Sequence, residues 1–219
     1  MRLCLVLFCL LPCRALACDL ALVLAVDVSG SVDHEEYRIQ MDGLAAGLRD
    51  GIVTEAFVGQ QARVTLVQWS GSSRQRQTVP WTTMNTPEDV AALADRIAAD
   101  PRVWRNYSTA IGEALNLSQR LLDGVPCTRK VIDVSGDGMS NEGQEPRLNG
   151  PALAAERIVV NALAIETDDT DLTAYFFENV IVGEGAFVVT ANGFEDYPDK
   201  IRRKLQRETT KQISLMAQP

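Results

Sequence analysis

Leu20-Ala21-Leu22-Val23-Leu24-Ala25-Val26-Asp27-Val28-Ser29-Gly30-Ser31 sets an unbroken apolar run against an abrupt loop of acid, hydroxyls and glycine. A strand with one wet face alternates apolar and polar side chains. A run without a polar member is buried on both faces, as in the middle of a parallel sheet covered by helices on each side. The segments that follow fit that frame. Asp33 can cap a helix, with Glu35 and Glu36 favourable in its first turn, running towards Asp50. Arg63 to Trp69 reads as a strand, and Gln75 to Trp81 as a shorter edge strand, because Pro80 cannot donate to a ladder. Thr86-Pro87-Glu88-Asp89 combines a cap, a first-turn proline and two acids, so a helix starts there and ends near Asp100-Pro101.

A second helical pattern begins at Ser108 or Thr109 and continues to Leu122, with Ile111, Leu115 and Leu122 on one stripe. Lys130 to Ser135 is a strand with one polar oddity, Asp133. Ala152 to Arg157 reads as a short helix, Ile158 to Ile165 as a buried strand, Asp171 to Asn179 as helical and Ala186 to Thr190 as a last strand. Phe194 to Lys211 reads as a basic, solvent-facing terminal helix; its Arg202, Arg203, Lys204 and Arg207 suit a helix's C-terminal half and a solvated face. Strand alternating with helix implies an α/β, doubly wound (Rossmann-like) fold: a central, mainly parallel sheet with helices on both faces.

Composition sets the outer limits. A chain of 219 residues that is 46% hydrophobic can bury one sizeable core. The net charge of -8 argues against a nucleic-acid partner, which selects for a basic face. Residues 1–17 read as a secretory leader: Arg2, the apolar Leu3 to Leu11, and Ala15-Leu16-Ala17 as a small-x-small cleavage site. That run is too short to span a bilayer, and no later segment reaches 18 apolar residues. The expected organisation is a leader at 1–17 and a single domain at 18–219, periplasmic or secreted. Cys4, Cys9 and Cys13 leave with the leader, so Cys18 and Cys127 remain, enough for one disulfide in an oxidising compartment.

Open parallel sheets bind ligands beyond the carboxyl ends of their strands, near the switch in strand order. Two acidic loops follow strands here, Asp27-Val28-Ser29-Gly30-Ser31 and Gly136-Asp137-Gly138, and Thr109 opens a helix between them after the irregular Pro101 to Tyr107. Two facing carboxylates repel, and a cation between them removes that cost. Hydroxyls add oxygen ligands without adding charge, which suits Mg2+ or Mn2+ and leaves the ion electrophilic towards an outside carboxylate. Gly30 and Gly138 let each loop turn over the ion. Softer metals are poorly served, since His34 is the only histidine and no cysteine lies near the loops.

Asp27-x-Ser29-x-Ser31, a later isolated Thr109 and a strand-terminal Asp137-Gly138 resemble the metal-ion-dependent adhesion site of von Willebrand factor A-like domains. The likeness runs from about Asp19 to about Gln206, and the stretches Leu24 to Val32 and Val131 to Gly138 are most similar to a bacterial exported branch of that superfamily. The resemblance implies that Ser29, Ser31 and Thr109 ligate a metal through hydroxyls, with Asp27 and Asp137 contributing directly or through water. It implies a protein or peptide partner whose Asp or Glu completes the sphere, with no catalysis. Two features depart from the pattern. Asn106-Tyr107-Ser108 stands where the family often has glycines, and Asp133 and Ser135 make the strand before Asp137 unusually polar. A buried Asp133 requires a partner that the sequence does not name.

Other readings compete. Gly136-Asp137-Gly138-x-x-Asn141 also resembles the last motif of haloacid dehalogenase-like phosphohydrolases, but Ser29 stands where their general acid belongs. A third possibility is a structural domain with an empty site. The serines of the first loop could merely cap the following helix. Ser–His–Asp chemistry would need His34, which reads as a surface residue. Trp69, Trp81 and Trp104 offer either packing or a platform. Asn141 to Asn149 is a polar loop that either shapes partner choice or is mobile surface. If both aspartates reach one ion, their strands are parallel neighbours, and Cys18 and Cys127, at similar distances upstream, face each other at the far edge within bridging reach. The alternative fate of Cys18 is lipid attachment, for which Ala15-Leu16-Ala17 lacks the usual leucine.

Overall fold

A computed structural model describes residues 18–167 and 171–216; the expected leader lies outside the described residues. The elements run β1 (Cys18–Asp27), α1 (His34–Leu48), α2 (Gly51–Gly59), β2 (Arg63–Trp69), β3 (Gln75–Thr83), α3 (Pro87–Ala99), α4 (Ile111–Leu122), β4 (Cys127–Gly136), α5 (Gly150–Ala155), β5 (Ile158–Ile165), α6 (Leu172–Asn179), β6 (Val188–Ala191) and α7 (Tyr197–Met216). The sheet order is β3-β2-β1-β4-β5-β6, all parallel except edge strand β3, which runs antiparallel to β2.

β1 sits in the middle, and its side chains divide by parity. Leu20, Leu22, Leu24 and Val26 enter one core with α1, α2, α3 and α7. Ala21, Val23 and Ala25 enter the other with α4, α5 and α6. Large residues thus point to one layer and small ones to the other, which is why the run has no polar member. β1 is followed in the chain by β2 on one side, while β4 lies on its other side, so the order switches between β1 and β4.

The helix starts follow the local chemistry. Asp33 accepts from Glu36 N while Glu36 accepts from Asp33 N, and Thr86 and Asp89 form the same reciprocal box. α2 follows directly after Asp50, where the sequence pattern implies only the end of α1. Asp50 caps it from outside, yet its apolar residues form no clean stripe, and Ile52 is 58% exposed. α4 begins at Ile111, two residues later than Thr109.

α7 departs most from expectation. Tyr197, Ile201 and Leu205 bury one stripe of it, and Lys204 is fully buried rather than solvated. Lys204 Nζ pairs with Asp133 Oδ1 of β4 and with Glu208 Oε1, the latter at 2.9 Å. Asn161 of β5 donates to the same Glu208 oxygen at 2.9 Å. Asp133 therefore has its partner, reached across the layer from a helix 71 positions downstream. At the opposite end of the sheet from the acidic loops, Cys18 and Cys127 are register partners on β1 and β4, joined as a disulfide with Cα atoms 4.6 Å apart. Among the described residues no helix is long and apolar enough to cross a membrane.

Candidate metal centre

Because β1 and β4 are parallel neighbours, paired Val26 to Ser135 at their ends, Asp27 and Asp137 leave the sheet at one edge. Thr109 is brought over them by backbone stitching: Ala110 N donates to Ser70 O at 3.0 Å, and Ser70 Oγ donates to Ser108 O at 3.1 Å. The side-chain oxygens then converge. Ser29 Oγ lies 3.2 Å from Ser31 Oγ and 3.4 Å from Thr109 Oγ1, and Ser31 Oγ donates to Asp137 Oδ1 at 2.7 Å. Asp27, Ser29 and Thr109 are buried, Asp137 is half-buried and Ser31 is exposed, so the cluster is closed beneath and open above.

The electrostatics are those of a site short of positive charge. Burial, reinforced by the Asp137 charge, raises the Asp27 carboxyl well above the usual carboxylate range. A 2.7 Å hydrogen bond from Ser29 N to Asp27 Oδ1 and the Arg102 charge work against that rise. Asp27 Oδ2 is buried and accepts no hydrogen bond among the described residues. A buried, unpartnered carboxylate oxygen amid three hydroxyls and a second carboxylate is a donor set that fits a small hard dication. No three His, Cys, Asp or Glu side chains cluster as metal ligands among the described residues, so an ion held here would rely largely on hydroxyls.

Glycine plays a different part from the one expected. Neither Gly30 nor Gly138 has a positive φ. Gly30 is needed for close approach, since an added Cβ would lie 3.2 Å from Tyr107 O; at Gly138 it would meet only Thr109 Oγ1, at an ordinary 3.7 Å. The tighter position is Gly136, where a Cβ would come within 3.0 Å of Asp27 Oδ2. Asn106 takes φ 57°, a left-handed conformation that asparagine tolerates, and so serves where glycine would otherwise stand.

Three supports escaped the sequence reading. Arg102 donates to the carbonyls of Val28 (3.0 Å), Ser29 (2.8 Å) and Asp33 (3.1 Å), clamping the first acidic loop. Gln68, wholly buried, donates to Asp100 Oδ2 at 2.8 Å and Pro101 O at 3.0 Å while accepting from Val103 N at 3.0 Å, which fixes the strap bearing Arg102. The 141–149 loop is fastened to the start of α4: Thr109 N donates to Asn141 Oδ1 (2.9 Å), Gln144 N to Glu113 Oε1 (2.8 Å) and Asn149 Nδ2 to Gly112 O (2.6 Å). The first-loop serines do not cap α1, whose cap is Asp33, and His34 is exposed at its start. Trp69 is buried, whereas Trp81 and Trp104 are half-buried.

A doubly wound sheet of this order is the fold seen in von Willebrand factor A-like structures, and the hydroxyl–carboxylate cluster lies at its switch point. Within that class the chain belongs to the family described as Protein of unknown function (DUF1194), which it matches over residues 17–213. Solved structures agree on the fold. Proximal thread matrix protein 1 from the mussel byssus, with a zinc-occupied MIDAS motif, is 16% identical over 89% of this chain and 46% of its own, with a TM-score of 0.66. A von Willebrand factor type A protein from Catenulispora acidiphila is 16% identical over 88% of this chain and 42% of its own, at TM-score 0.61. BatB from Bacteroides thetaiotaomicron is 18% identical over 88% of this chain and 99% of its own, at TM-score 0.56. The chain thus spans less than half the length of the mussel and Catenulispora proteins. No curated protein sequence matches it.

Proposed function

We propose that the protein is an exported, non-catalytic binding domain that holds one divalent metal, Mg2+ or Mn2+, and uses it to bind a carboxylate of a protein or peptide partner. The observation that carries this reading is Asp27 Oδ2, buried without a hydrogen-bond partner beneath three hydroxyls and facing a second acid. Ser29, Ser31 and Thr109 would ligate the ion, with Asp27 and Asp137 contributing directly or through water. When bound, the ion supplies a Lewis-acidic position open to an outside carboxylate. Asp27 balances it from below, Arg102 holds the loop carbonyls, and exposed Ser31 marks the open side. The zinc-occupied motif of the mussel protein supports divalent binding in this fold. Residues 1–17, as a cleaved leader, would deliver the chain to the periplasm or beyond, where the Cys18–Cys127 bridge is stable.

Catalysis is disfavoured by the same geometry. A phosphohydrolase would need a general acid two positions after Asp27, and buried Ser29 stands there. Asn141, which the rival motif would place at a metal, is occupied by Thr109 N. The test is affinity capture from native exported proteins by the wild type and Thr109→Ala, each in magnesium and in chelator. The reading expects a partner retained only by wild type with magnesium. Equal retention in chelator would reject it and direct attention to the 141–149 loop.

A further inference from the structure

The carboxyl edge of the sheet is electrically divided about the candidate centre. Arg74 ends the turn between β2 and β3, Arg76 stands at the start of β3, and the strap before Thr109 adds Arg105. At the opposite, β5–β6 end, Glu166 and Glu195 share a cleft of about 450 Å³ with Asp33, Glu35 and Glu36 of the α1 start. A chain of net charge -8 therefore concentrates arginine on one flank of its site and acid on the other.

The arginine flank is built rather than loose. The Arg74 guanidinium lies 4.7 Å from the Tyr107 ring and 5.3 Å from the Trp104 ring, and Arg76 stacks on the same Trp104 at 5.1 Å. Arg74 Nη1 donates to Ser73 O at 3.2 Å and to Ser73 Oγ at 2.9 Å, which fixes its plane, while the exposed Arg76 keeps its edge available for a planar acid. The strap bearing Trp104 and Tyr107 is itself anchored by Gln68. Gly30 N donates to Tyr107 O at 2.8 Å, so the ledge begins beside Ser29. None of Arg74, Arg76 and Arg105 has a carboxylate within ion-pair distance among the described residues. The acid whose charge Arg74 feels, Glu142, is taken up by Ser72 at 2.6 Å. Arg76 and Arg105 are exposed, and Tyr107 is 45% exposed.

We propose that the Arg74–Trp104–Tyr107–Arg76 ledge is a second docking point, taking a further acidic side chain of the partner whose first carboxylate reaches the metal. The partner is then an acidic peptide segment that runs from the centre towards β3, kept from the other direction by repulsion at the β5–β6 end. This rests on the metal-binding reading above, and the test separates the two.

Fluorescence anisotropy would compare a labelled hexaglutamate with a hexapeptide of glycine and serine containing one glutamate, in magnesium and in chelator. The wild type should bind hexaglutamate at least about tenfold more tightly, with a steep salt dependence. The exposed double variant Arg76→Glu/Arg105→Glu should erase that advantage while leaving the single-glutamate peptide unchanged. An unaltered hexaglutamate affinity in the double variant overturns the ledge, as does failure of the wild type to bind hexaglutamate at all. Hexaglutamate binding that falls in the double variant yet ignores chelator would retain the ledge and overturn the metal reading.

Discussion

Asp133 and Lys204 show how far single residues could be read in advance. An acid inside an apolar strand is visible as an anomaly, and a buried one requires a partner. The partner was hidden because Lys204 falls within a basic run that resembles a solvated face. The counter-signal was present in Tyr197, Ile201 and Leu205, a stripe spaced for one helix face with Lys204 upon it. Two carboxylates, Asp133 and Glu208, face this single cation. Burial, then the Glu208 charge, pushes the Asp133 carboxyl up to about 7, against the pull of Lys204. An acid whose pKa is raised on folding binds its proton more tightly in the native state. Stability contributed by that proton is present below the unfolded value near 3.8 and is lost as pH rises to about 7. Urea unfolding of wild type against Asp133→Asn across pH 4 to 8 should therefore show wild type losing ground by at most about 1.4 kcal/mol per pH unit up to neutrality. A parallel pair of curves would contradict this assignment. Lys204→Met should cost about 3–5 kcal/mol, because it strands two buried acids, whereas removing all three charges with apolar residues should recover most of the loss.

Among the secondary-structure elements, those with a strong period or a complete cap were readable, and those held by tertiary contacts were not. β1, β2, β5 and α3 have near-continuous apolar runs or a reciprocal capping box. α2 lacks a stripe, and the 141–149 loop is held by hydrogen bonds to α4 and from Thr109 that no local pattern encodes. That dependence can be probed at Gly112. A Cβ there would overlap the Gln144 carbonyl, so the loop can lie against α4 only because the position is glycine. Gly112→Ala is expected to displace the loop that holds Thr109, weakening metal affinity at least several-fold with a modest loss of stability. Full affinity in this variant would mean that Thr109 is positioned without the loop. The disulfide belongs to the same level, since it joins the starts of β1 and β4 across a sequence separation of 109. Closing so long a loop contributes on the order of 4–5 kcal/mol in the chain-entropy model. Cys18→Ser/Cys127→Ser should lower unfolding stability by about 2–5 kcal/mol without altering metal affinity, since the bridge lies at the far end of the sheet.

For the whole molecule, the alternation of strand and helix and the placement of two acidic loops at strand ends were enough to read the doubly wound sheet and its switch point. Four of the five expected oxygen-bearing residues, Asp27, Ser29, Ser31 and Asp137, stand out in the sequence because they lie at or just past strand ends, whereas Thr109 stands out through the family resemblance. Their supports do not, since Gln68 of β2 fastens an irregular strap 32 to 35 positions away, and Arg102 on that strap reaches back 69 to 74 positions. The topology explains why the proposed binding falls at this edge. Sheet register sets both aspartates at one end, the strap flanks them with arginine and aromatic rings, and the opposite flank is acidic. The proposed role requires a cation at that edge. Calorimetric titration of the purified protein with magnesium and with manganese tests this most directly. Wild type is predicted to take up one divalent ion saturably and Asp27→Ala none, with both remaining folded. Absence of saturable uptake by wild type, or equal uptake by Asp27→Ala, would contradict the assignment.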